Sequence, residues 1–151
     1  LYAAVAFSFL SFWLSRSRRQ DLLTLSIALP IGFLMDSLLA QSGFLRFASA
    51  VPSENWAPIW IMCLWLGFTM TLNHSLSIVY RNPTYTFLFG FLGGPLAYWA
   101  GIRMGAASFG DNPTLTVVTL AIVWALVTPL LCRLSDLIDK EEGRYRLGRK
   151  P

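Results

Sequence analysis

Charge is scarce in this sequence. Only 13% of the 151 residues are Asp, Glu, Lys or Arg, whereas 55% are hydrophobic. Several long apolar runs carry that excess, which excludes a soluble core and points to a membrane. Histidine occurs once, at His74, and cysteine twice, at Cys63 and Cys132, all within apolar segments. The cysteines have neither metal-ligand spacing nor a disulfide pattern, so they should be free thiols behaving as small apolar residues, and no metal site is expected. Zinc, phosphate-loop and dinucleotide fingerprints are missing. Ser37 and Ser75 lack the sharp turn that presents a catalytic serine. No β-strand pattern stands out. The fold class that remains is all-α, a polytopic transmembrane helix bundle.

Five spans are visible. The first run, Leu1–Ser15, is short for a crossing, which takes about 20 residues. It reads as part of a chain whose true N-terminus lies upstream. No small-residue cleavage site precedes the basic cluster Arg16, Arg18 and Arg19, which argues against a signal peptide. The second span runs from Leu22 to Gln41 and should bend at Pro30. A loop follows, from Gly43 to Asn55. Trp56 and Trp60 mark the interfacial start of the third span, which ends near Tyr80. Arg81-Asn82-Pro83 is a short turn, making the fourth span, Thr84 to about Ala107, an antiparallel neighbour of the third. Ser108–Pro113 is a polar turn before the fifth span, Thr114 to Leu134, with Pro129 in its last turns. Residues 1–134 therefore form the bundle. Residues 135–151 form a charged tail, read as a solvated helical extension that frays after Gly143.

The loops set the orientation. Twelve Lys and Arg against eight Asp and Glu give a net charge of +4. In a membrane protein this excess reports topology and contact with anionic lipid, not nucleic acid. Arg16, Arg18, Arg19, Arg81 and the basic tail fall on one side, Arg46 and Arg103 on the other. The heavier side should be cytoplasmic, which places the C-terminus inside.

Polar side chains within the spans are the candidate functional residues, because such groups are costly in hydrocarbon and tend to face other helices or a cavity. Asp36, with Ser37 beside it, lies roughly 21 Å into the second span at 1.5 Å per residue. Tyr98 falls near the same level and is a potential donor to it. Arg103 lies towards the same outer face, so an Asp36–Arg103 ion pair is expected. His74, flanked by Asn73 and Ser75, sits roughly 9 Å from the cytoplasmic end of the third span. The two groups thus differ in depth by roughly 12 Å, which argues against a His–Asp catalytic dyad. Packing, proton or substrate contact, and a haem or pigment ligand are all open to His74; no cofactor is otherwise expected.

The fourth span carries small residues at helix-packing spacing. Gly93, Ala97, Gly101 and Gly105 recur every fourth position, and Gly90 and Gly94 form a second pair. Such residues let helix backbones approach closely in lipid, here against the third span. Pro95 should free the carbonyl of Phe91 and bend the helix.

The runs Gly32–Phe47 (GFLMDSLLAQSGFLRF), Trp60–Leu76 with its LNHSL, and Gly90–Gly105 (GFLGGPLAYWAGIRMG) resemble a bacterial multi-pass inner-membrane family known only as a domain of unknown function. The resemblance spans Arg16 to Leu131 and leaves out the charged tail. It implies one further apolar segment before Leu1. It brings no established activity, but the family's genes often lie beside genes for fatty-acyl modification, including cyclopropane-type lipid synthases. The resemblance therefore implies an accessory protein in membrane lipid modification or handling. The residues themselves leave two alternatives open. One is a small transporter or permeation subunit, suggested by Pro30, Pro95 and Pro129 around buried polar groups. The other is a structural or assembly subunit of a larger membrane complex, or a homo-oligomer, suggested by the small-residue faces. Whether the chain is an enzyme does not follow from these residues.

Overall fold

The computed structural model describes residues 18–48, 53, 56–74 and 82–148. Four helices dominate them: α1 (Arg18–Gln41), α2 (Ile59–His74), α3 (Pro83–Arg103) and α4 (Pro113–Gly148). Two three-residue strands join them, β1 (Leu45–Phe47) and β2 (Ala107–Phe109). Among the described residues two helices, α1 and α4, are long and apolar enough to cross a membrane. The five expected spans are therefore not seen as such. The first, Leu1–Ser15, lies outside the described residues. The third is described as a helix over Ile59–His74, 16 residues, and the rest of the expected span, 75–80, lies outside the described residues. α3 has 21 residues, but Gly, Pro, Tyr and Trp dilute its apolar content. α4 does not end near Gly143 but continues to Gly148.

The helices begin and end by local rules. Asn82 caps α3, its side-chain oxygen accepting from the Thr84 N–H at 2.9 Å, with Pro83 in the first turn. Asn112 does the same for α4, accepting from the Leu115 N–H at 3.0 Å before Pro113. Each Asn-Pro pair thus satisfies one orphan donor and starts the helix with a residue that has none. α1 and α3 end alike. Beyond α1, Gly43 takes φ +72° and its N–H bonds the Ala40 carbonyl, while the Phe44 N–H reaches back to Leu39. Beyond α3, Gly105 takes φ +77°, bonding Ile102, while Ala106 reaches back to Gly101. Both are glycine-capped ends of the Schellman type.

These two caps turn the chain directly into β1 and β2, which pair antiparallel with Leu45 opposite Phe109 and Phe47 opposite Ala107. No strand was expected from the sequence, because three residues are too few to show an alternating pattern. The pairing brings the loop after α1 and the loop before α4 to the same end of the bundle. Gly110 closes it: its N–H donates to the Phe44 carbonyl at 2.8 Å, and a Cβ there would lie 1.7 Å from the Gly43 carbonyl oxygen.

α3 packs chiefly on α4, and α1 packs on both α2 and α4. Among the described residues the expected close pairing of α2 with α3 is not formed. The buried face of α1 runs Asp21, Leu25, Ala28, Gly32, Met35, Asp36 and Leu39, a helical stripe facing the interior. At the centre Trp65, Trp124, Leu120, Leu131 and Met35 form one apolar cluster. Among the described residues Cys63 and Cys132 form no disulfide, and Cys132 is buried.

Candidate functional site: a buried carboxylate beside an aromatic cavity

Asp36 is fully buried, with no solvent exposure at all. It lies on the inner face of α1, one turn after Gly32. Trp65 of α2 donates its Nε1–H to one carboxylate oxygen at 2.7 Å, and the Tyr98 hydroxyl of α3 donates to the other. One carboxylate therefore ties three helices together. Ser37, next to it, accepts the Ala57 N–H at 3.0 Å, which pins the start of the chain into α2.

The expected ion pair of Asp36 with Arg103 is not formed. Arg103 is exposed and lies over the Trp99 ring, 5.7 Å from its centroid. Arg46 instead bonds Asp111 at 2.7 Å in an exposed pair. The physical reason is economy of desolvation: two neutral donors satisfy the carboxylate without burying a guanidinium.

Glycine positions explain how bulky rings reach this centre. A Cβ on Gly32 would sit 2.2 Å from the Trp65 ring, and one on Gly94 would sit 2.3 Å from the Trp124 ring. A Cβ on Gly90 would lie 2.3 Å from the Trp124 carbonyl oxygen. The close approach of α3 thus uses the Gly90/Gly94 pair, and its partner is α4. The longer stripe does not pack. Gly93 and Gly101 face open space, Ala97 is exposed, and Gly105 is the αL cap beyond the helix.

Trp65 and Trp124 stack at 5.1 Å and 16°. Phe68 stands edge-on to both, and Tyr98 edge-on to Trp124. These rings border a cavity of about 680 Å³ between α2 and α3. Leu64 and Trp60 line it from α2, Ala97 and Gly101 from α3, Met104 from just beyond α3, and Phe47 from the sheet end. Its lining is almost wholly apolar, and Asp36 meets it only through Trp65 and Tyr98, which both line it. Among the described residues Thr128 Oγ is buried without a hydrogen-bond partner, and Trp124 Nε1 is buried facing the Tyr98 hydroxyl.

Of the residues singled out in the sequence, the structure brings together Asp36, Ser37 and Tyr98. Asn73 and His74 belong to the last turn of α2, but their side chains, like all of Ser75, lie outside the described residues. A haem or pigment contact at His74 has no described geometry to stand on. The sequence reading missed Trp65, Trp124 and Gly32. The signal was there: Trp65 and Trp124 fall in the middle of apolar runs, away from the interfacial positions tryptophan favours, and a buried indole N–H needs an acceptor.

Comparison with curated proteins and with solved structures returned no match. A family match covers residues 1–130, most of the chain, and on that evidence the protein belongs to the family described as "Protein of unknown function (DUF2878)".

Proposed function

We propose that this chain is an integral membrane protein that holds the hydrocarbon part of a lipid in the cavity between α2 and α3, as an accessory in membrane lipid handling. The observation that carries the reading is the cavity itself: about 680 Å³, bordered by aliphatic and aromatic side chains. That size and lining suit a small apolar ligand. The Asp36–Trp65–Tyr98 network holds two wall residues in place rather than presenting a charge to the cavity. α1 and α4 support the membrane location by length and composition. We place the chain in a bacterial inner membrane with its C-terminus cytoplasmic, on the distribution of Arg and Lys between loops. Transport has less support, because α1, α3 and α4 run unbroken through Pro30, Pro95 and Pro129, whereas many transporter sites use interrupted helices.

The test has two arms. Protein purified in mild detergent should retain lipid that mass spectrometry identifies after organic extraction. A deletion strain should change its acyl-chain profile under oxidative or light stress. An empty protein together with an unchanged profile would overturn the proposal.

A further inference from the structure

The lining of the cavity is more selective than apolar character alone. A saturated chain asks only for aliphatic surface. This cavity instead presents six aromatic side chains, Phe47, Trp60, Trp65, Phe68, Tyr98 and Trp124. Several are fixed in orientation. Trp65 is held by its bond to Asp36 and its stack on Trp124, and Tyr98 by its bond to the other carboxylate oxygen. Phe47 meets Trp60 edge-on at 6.0 Å. Rings fixed in place show edges and faces of opposite partial charge, and planar π-systems gain from offset or edge-on contact with them beyond area burial.

The polar groups of these rings are not offered to the cavity. The donors of Trp65 and Tyr98 are spent on Asp36, and the Trp124 Nε1–H is buried facing the Tyr98 hydroxyl. What the cavity presents to an occupant is therefore ring surface.

Resting on the lipid reading above, we infer that the cavity selects a flat, conjugated lipid over a saturated chain. The rings supply the preference for a planar polyene or ring. Polyene acids and ring-bearing quinone-like lipids share this chemistry, and competition distinguishes them.

The probe is trans-parinaric acid, a fluorescent conjugated acid, added to the full chain in detergent and compared with a detergent blank. Competitors are retinoic acid, a short-chain ubiquinone analogue and palmitic acid. We expect retinoic acid or the quinone to displace the probe at a concentration at least about tenfold below that of palmitic acid, the gain of two aromatic contacts; the better of the two names the source. Trp60→Leu keeps the wall apolar but removes a ring, and should narrow that ratio by about threefold. Equal displacement by palmitic acid, or a ratio unchanged in Trp60→Leu, overturns the selectivity. The wild-type competition decides the main claim even where a variant fails to fold. If radiolabelled palmitic acid binds and the polyene does not, the lipid reading stands and this inference falls. If neither binds, the lipid reading itself falls.

Discussion

Trp65 donates to Asp36 across the α1–α2 interface at 2.7 Å, and it does so through a gap that only glycine leaves: Gly32, one turn earlier on α1, has the indole where its Cβ would be. The carboxylate and the indole are therefore one unit. The indole fills volume, satisfies a buried acid and stacks on Trp124. Tyr98 completes the acid's coordination from α3.

Removing the indole N–H without removing the ring isolates that bond. Trp65→Phe leaves Asp36 with one donor in a site that excludes water. Loss of a partner to a buried polar group costs about 1–3 kcal/mol. The variant should therefore melt earlier than wild type in detergent. An unchanged melting temperature would show that the bond contributes nothing net.

The glycines of α3 separate two readings that sequence spacing cannot. Spacing of four identifies small-residue faces, but not which face meets a helix. Gly90 and Gly94 do, because α4 lies against them; Gly93 and Gly101 do not, because they face open space. Gly90→Ala puts a methyl against the backbone of Trp124 and should cost about 1–3 kcal/mol by overpacking. Gly93→Ala and Gly101→Ala should stay within about 0.5 kcal/mol of wild type. Thermal melts of the three variants check this, and equal destabilisation would refute the packing described.

The same contrast shows how much of the molecule was legible. Hydropathy alone located α1 and α4, and the depth ruler brought Tyr98 to the level of Asp36. The partner of α3 was not legible. A short turn suggests that consecutive helices pair, yet α3 pairs with α4 after it rather than α2 before it. The choice depends on Gly90 and Gly94 accepting Trp124, a three-dimensional fit. The Arg103 pairing failed for a related reason. Charge complementarity is easy to read, whereas neutral donors such as Trp65 and Tyr98 are easily overlooked as apolar filling. Gly43 was legible as the start of a loop, but Gly105 was read as part of the packing stripe, because spacing does not show that the two glycines are a matched pair of caps that start a sheet.

Topology is checked by labelling. In a background with Cys63 and Cys132 replaced by alanine, Ser108→Cys and Lys140→Cys introduce thiols at exposed positions beyond opposite ends of the apolar part of α4. A membrane-impermeant maleimide applied to intact cells should label position 108 and reach position 140 only after permeabilisation. Labelling of both from outside would remove the cytoplasmic assignment of the C-terminus.

The last prediction separates the charge of Asp36 from its oxygens. Asp36→Asn keeps one acceptor for Trp65 and gains an amide N–H2, to which the Tyr98 hydroxyl can turn and accept. Both neighbours can therefore remain hydrogen-bonded. Asp36→Leu keeps similar bulk but leaves the Trp65 N–H and the Tyr98 O–H both buried and unpartnered, at about 1–3 kcal/mol each before any gain from the added apolar contact. The leucine variant should be clearly less stable than the asparagine variant in thermal melts, and retained lipid should fall with it because two cavity residues lose their anchor. If the leucine variant is as stable as wild type, the network is dispensable for the fold. If the asparagine variant folds like wild type but loses its bound lipid, the carboxylate acts on the ligand through its charge, and its role is more than holding the wall.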